Sequence, residues 1–224
     1  MSQSGLAYEL YRSDGREEWA MRIGAGDGPP ILFVPPLFEE MNRTRALIAN
    51  VMRRLAAQGL CCWLHDLKGT GESTENLNDV HWDDWRHDVM SAALHVERAA
   101  GRTPLIASLR GGCLIDDAAA GIGWWRLAPV VGASLVRDMV RAGLAGVEWA
   151  GYAPSAELRG RLEDATPVDQ MPLRVVRLAS DAGPADAKVS GPALWRRSEP
   201  GNSDELAEAI AADIAAWHAA CAAS

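Results

Sequence analysis

Two rhythms of apolar residues alternate along the chain: short unbroken runs, and stripes that return every three or four positions. The first is the pattern of a strand buried on both faces, and the second marks one face of a helix. Leu6 to Tyr11 and Glu18 to Ile23 flank Ser13-Asp14-Gly15, a turn signal that predicts an opening antiparallel hairpin. Pro30 to Val34 is an unbroken run closed by Pro35-Pro36, as in an interior strand. A helix is predicted from about Asn42, a capping residue type, with Leu47, Val51 and Leu55 on one stripe and Gly59 at its end. Leu60 to Leu64 is the next strand, and Asp66 to Ser73 is a glycine-bearing loop. Trp82, Trp85, Val89, Ala93 and Val96 then repeat at helical spacing, and Pro104 to Ala107 reads as another buried strand.

This alternation implies a parallel sheet with right-handed crossovers, whose ligands sit beyond the carboxyl ends of the strands. Farther on, Arg126 to Ala133 and Leu173 to Ala179 read as strands, with Ala193 to Arg196 as the last one. Between Ser134 and Met171 the pattern gives a helix, a short strand around Val147 to Tyr152, and another helix. That is too little chain for a large cap domain. A closing helix from about Ser203 carries Leu206, Ile210, Ile214, Trp217 and Cys221 along one face. The expected architecture is a single α/β domain over residues 1–224, with a mostly parallel central sheet flanked by helices and an N-terminal antiparallel hairpin.

Composition narrows the partners. With 224 residues, 48% of them hydrophobic, the chain can bury one large core. A formal net charge of -8 argues against a nucleic-acid surface, which needs a concentrated basic face. Cys61, Cys62, Cys113 and Cys221 form no C-x-x-C pair and are expected as buried thiols of a reducing cytoplasm. Met1 to Gly5 lack the pattern of an export leader, and no apolar run approaches bilayer-spanning length. No histidine/carboxylate spacing suggests a metal site, and no cofactor is expected.

The chemistry centres on Ser108-Leu109-Arg110-Gly111-Gly112. A strand followed by a tight glycine-rich turn and an apolar helix face, here Cys113-Leu114-Ile115, has the shape of the G-x-S-x-G nucleophile elbow, in which the central residue stands at the tip. Arg110 occupies that tip. A guanidinium has no lone pair to offer a carbonyl and cannot form an acyl-enzyme. The histidine of a hydrolytic triad sits on the loop after the last strand, and Ser198 to Asn202 contains none. Asp181 could stand in the acid's place, but without a histidine to orient, a turn aspartate beside Gly183 and Pro184 is the plainer reading. His81, His87, His95 and His218 read as surface or packing residues, whereas His65, at a strand's carboxyl end, could face the pocket. Ser108 is expected to be buried without a base, and Ser73 to brace its own loop. A cation at the start of a helix needs a negative partner, and Glu39 or Glu40, with Glu40 favoured, is expected to pair with Arg110.

Several stretches resemble the α/β-hydrolase superfamily, and within it the family named exosortase A system-associated hydrolase 2. They are Val34 to Arg43, with Glu39-Glu40-Met41-Asn42 at its heart, Asp66 to Ser73, Trp82-Asp83-Asp84-Trp85, Leu109 to Gly112, Pro129 to Gly132 and Ala150-Gly151-Tyr152. The resemblance implies that fold over nearly the full chain, and a bacterial setting near exopolysaccharide and protein-sorting genes. Three functions follow as alternatives. One is a degenerate hydrolase that binds a small anionic or acyl-bearing ligand through Arg110, Glu39, Glu40, Leu37, Phe38, Leu109 and Gly111. Another is an ester hydrolase in which Glu39, Glu40 or His65 acts on water while Arg110 stabilises negative charge. The third is a scaffold for other proteins. The Arg110–carboxylate pair is either part of a binding site or only an internal brace.

Overall fold

β1 (Leu6–Ser13) and β2 (Arg16–Ile23) pair antiparallel across a two-residue turn. Asp14 and Gly15 both take positive φ there, 50° and 79°, the twist that suits a tight hairpin. β2 runs antiparallel to β4 (Cys61–His65). From β4 onward every neighbour is parallel, through β3 (Pro30–Val34), β5 (Leu105–Leu109), β6 (Trp124–Leu127), β7 (Leu173–Leu178) and β8 (Ala187–Val189). The order across this sheet is β1-β2-β4-β3-β5-β6-β7-β8. The computed structural model describes residues 5–142 and 152–223, so the strand expected around Val147 to Tyr152 falls, apart from Tyr152, outside the described residues.

Among the described residues five helices flank the sheet: α1 (Glu39–Ala57), α2 (Trp82–Ala100), α3 (Gly132–Ala142), α4 (Ala156–Asp164) and α5 (Asp204–Ala222). Successive strand residues alternate between two cores, as strand geometry requires. Ile31 and Phe33 meet Leu47, Val51 and Leu55 of α1 and Ile210 and Ile214 of α5 on one face. Leu32 and Val34 meet Trp85, Val89 and Val96 of α2 on the other. The described residues therefore form the mostly parallel, helix-flanked α/β sheet with an antiparallel hairpin expected from the apolar pattern.

Four expectations need correction. α1 begins at Glu39 rather than near Asn42, because Phe38 (φ 55°, ψ -135°) turns the chain straight from the β3 edge into the helix. Arg126 to Ala133 is not one strand: β6 ends at Leu127, the buried Ala128 breaks the run with a φ of 48°, and α3 starts at Gly132. The last strand is β8, and Leu194–Arg196 is a single tight turn. Past the elbow, Arg110–Leu114 and Asp116–Ala118 form two short 3-10 turns in place of a helix, so no sustained dipole points at the site.

Candidate functional site

β5 delivers the chain to Arg110, whose φ of 52° is a left-handed conformation that costs a non-glycine residue on the order of 1 kcal/mol or more. That is the sharp, strained turn of a nucleophile elbow, here presenting a guanidinium. Gly112 makes the turn feasible: a Cβ there would collide with the Pro35 and Val34 carbonyl oxygens of the β3 end. Across the turn, α1 holds Glu40. The Arg110 Nε and Nη2 donate to Glu40 Oε1 at 3.1 and 2.8 Å, and Nε also reaches Oε2 at 3.3 Å. Both side chains are buried, at 7% and 9% exposure. Burial raises the Glu40 carboxyl above the usual range, against the pull of the Arg110 guanidinium. Asp138 of α3 stands 3.7 Å from Nη2, and the Trp195 ring lies 5.2 Å from the guanidinium carbon in cation–π range.

Trp195 occupies the segment after the last strand, where a hydrolase keeps its histidine, and residues 190–203 contain no histidine. Asp181, after β7, is 3.4 Å from Arg177 and donates its backbone N–H to the Leu178 carbonyl, a turn residue. His65 does not face the pocket. It is wholly buried on the α2 side of the sheet, edge-on to Tyr11 at 6.2 Å. Burial drives its pKa down to about 4, which the nearby Phe33 backbone only partly offsets, and neither ring nitrogen has a full hydrogen bond. His218 is buried rather than solvated, while His95 lies 3.4 Å from Glu9.

A cavity of about 280 Å³ opens beside the elbow between α1, α3 and the Trp195 turn. Leu37, Leu135, Met139 and Trp195 give it an apolar lining, and Glu39, Glu40, Arg43, Asp138, Arg141 and Arg196 its charges. Arg110 lies behind Glu40 and Asp138 rather than on the wall. Leu109 points into the core, and the space beside Gly111 is filled by Leu37 and Leu135. Phe38 lines a neighbouring cleft of about 260 Å³ with Trp85 and Tyr152, meeting their rings edge-on at 5.3 and 5.5 Å. Asn42 donates to Glu39 and to the Tyr152 hydroxyl, both at 3.0 Å. Ser73 accepts from the Gly69 N–H and so braces its loop.

Ser108 has a carboxylate partner that its sequence surroundings do not reveal. Its hydroxyl donates to Asp116 Oδ2 at 2.5 Å, but Asp116 is held by Arg126 Nε and Nη2 at 2.9 and 2.7 Å. Both oxygens of that carboxylate already accept from the Arg126 guanidinium, and all three groups are sealed on the α2 side, away from the cavity. Cavity residues Asp138, Arg141, Met139 and Trp195 also escape sequence reading. None belongs to a motif, and they meet only through the tertiary fold. Among the described residues no group of histidines, cysteines and carboxylates could hold a metal ion.

No protein-family model and no curated protein sequence matches the chain. Solved structures do. Est1E from Butyrivibrio proteoclasticus with ferulic acid bound is 14% identical with a TM-score of 0.65, covering 96% of this chain and all of that one. Alpha/beta hydrolase domain-containing protein 10 from mouse is 15% identical with a TM-score of 0.62, over 95% of this chain and 98% of that one. An AqdC variant in complex with the Pseudomonas quinolone signal, whose ring it cleaves, is 12% identical with a TM-score of 0.62, over 96% and 100%. The shared property is the α/β-hydrolase fold.

Proposed function

We propose that this chain uses the α/β-hydrolase fold without serine-hydrolase chemistry, as a degenerate hydrolase that binds a small anionic or acyl-bearing ligand in the cavity beside the elbow. The observation that carries the reading is Arg110 at the apex, clasped by Glu40 and stacked on Trp195, where hydrolysis needs a nucleophile and its base. Leu37, Leu135 and Met139 suit an apolar chain, while Arg43, Arg141 and Arg196 offer donors to an anionic head. Arg110 serves by fixing Glu40, and with it the cavity wall. The proposed link to bacterial exopolysaccharide and exosortase systems rests on the motif resemblance. The unpaired, buried cysteines support a reducing, cytoplasmic setting.

A fluorophosphonate probe and a panel of nitrophenyl esters test the first half: no labelling and no turnover are expected. Turnover that disappears in Glu40→Gln while the variant stays folded by circular dichroism would instead establish the water-activating alternative, which the raised Glu40 pKa at the cavity wall favours. Medium-chain fatty-acid anions test the second half. They are expected to raise the melting temperature of the wild type and less so that of Arg141→Ala. A melting temperature indifferent to every anion tried refutes binding.

A further inference from the structure

The two edges of the sheet are built differently. At β8 the edge strand has three residues, carries Lys188 and is bounded by Pro184 and Pro192, devices that keep a strand edge from pairing. At β1 it has eight residues with neither proline nor lysine. Leu6, Tyr8 and Leu10, on one face of that edge, are 53%, 59% and 45% exposed. Trp19, opposite Leu10 on β2, widens the apolar stripe. The Gly24 N–H donates to the Gly5 carbonyl, and this ladder gives the odd-numbered residues of β1 their bonds to β2. The backbone N–H and C=O of Leu6, Tyr8, Leu10 and Arg12 therefore face the open edge. Open hydrogen-bonding groups and exposed apolar side chains belong to the same residues.

We propose that β1 seats a second copy of this chain, antiparallel, about a two-fold axis through Tyr8. Tyr8 then lies opposite the partner subunit's Tyr8, and Leu6 opposite the partner subunit's Leu10. Each facing pair exchanges hydrogen bonds in both directions. Glu9, on the other face, meets the partner subunit's Ala7. The adjacent register, centred on Glu9, would set Glu9 against its own copy and Leu6 against the partner subunit's Arg12. Because the stripe complements itself, the occupant is a second copy rather than an unrelated strand.

Sedimentation over a range of concentrations is expected to show the mass rising from 24.1 kDa to twice that value. Tyr8→Lys and Leu10→Lys, at exposed positions, are expected to remain folded by circular dichroism and stay monomeric. Under mild oxidation Tyr8→Cys should form a disulfide-linked dimer and Glu9→Cys should not; the four native cysteines are buried. A wild type that stays monomeric at every concentration overturns the proposal. So does a dimer that survives both lysine variants, or one that Tyr8→Cys fails to cross-link.

Discussion

Removing either member of the Arg110–Glu40 pair strips the other, still buried, of its hydrogen-bonded partner, and leaves only the more distant Asp138 beside Arg110 or Arg43 near Glu40. Arg110→Ala and Glu40→Gln are each expected to cost about 3–5 kcal/mol in urea denaturation, whereas the double variant Arg110→Met/Glu40→Leu should recover most of that loss. Arg110→Ser places a hydroxyl at the apex, yet it is expected to cleave no nitrophenyl ester, because Trp195 and not a histidine follows the last strand to take up the hydroxyl proton and pass it to the leaving group. His65 offers a pH readout. Its folded pKa of about 4 lies below the unfolded value, so its contribution is present above about pH 6.5 and is lost as pH falls toward 4. Between pH 7 and 5 this amounts to roughly 2 kcal/mol. His65→Leu should lose that much less stability over the same interval. Glu18, Glu40, Asp66, Asp88 and Asp116 are all raised by burial and act in the opposite sense, so the comparison of variant with wild type is what isolates the imidazole.

Among the elements, the junction of β5 with β3 tolerates no added side chain. Gly112→Ala would place a Cβ 2.8 Å from the Val34 carbonyl oxygen and closer still to that of Pro35, so a melting temperature lowered by several degrees is expected. β1 to β5 were legible because their apolar runs are unbroken or follow a plain turn, and Pro30–Val34 agrees residue for residue. Directly after Arg110 the pattern misleads, since backbone conformation decides: Ala128 breaks the run from Arg126, and Cys113-Leu114-Ile115 is apolar enough for a helix but is packed as tight turns, whereas Leu173–Leu178 and the closing helix from Asp204 were again legible. The apex was legible from the spacing of its glycines. Trp195 and Asp138 were not, because nothing local distinguishes a cavity wall from an ordinary turn or helix face.

For the molecule as a whole, the layered order of strands and helices followed from the alternation of the two apolar rhythms. The pocket depends on where distant elements converge, which periodicity does not encode. The formal charge of -8 opposes bringing two copies together. Dimerisation through β1 is therefore expected to strengthen as sodium chloride rises from about 10 to 150 mM and screening tightens, seen as a lower dissociation constant by sedimentation. The paired 3-10 turns beyond Arg110 carry one more implication. Exchanging Arg110 for serine and Trp195 for histidine is expected not to confer ester cleavage by itself, because the short turns that follow the apex bring no sustained helix dipole to steady an anionic intermediate. Such a design would have to rewind a stretch of backbone as well.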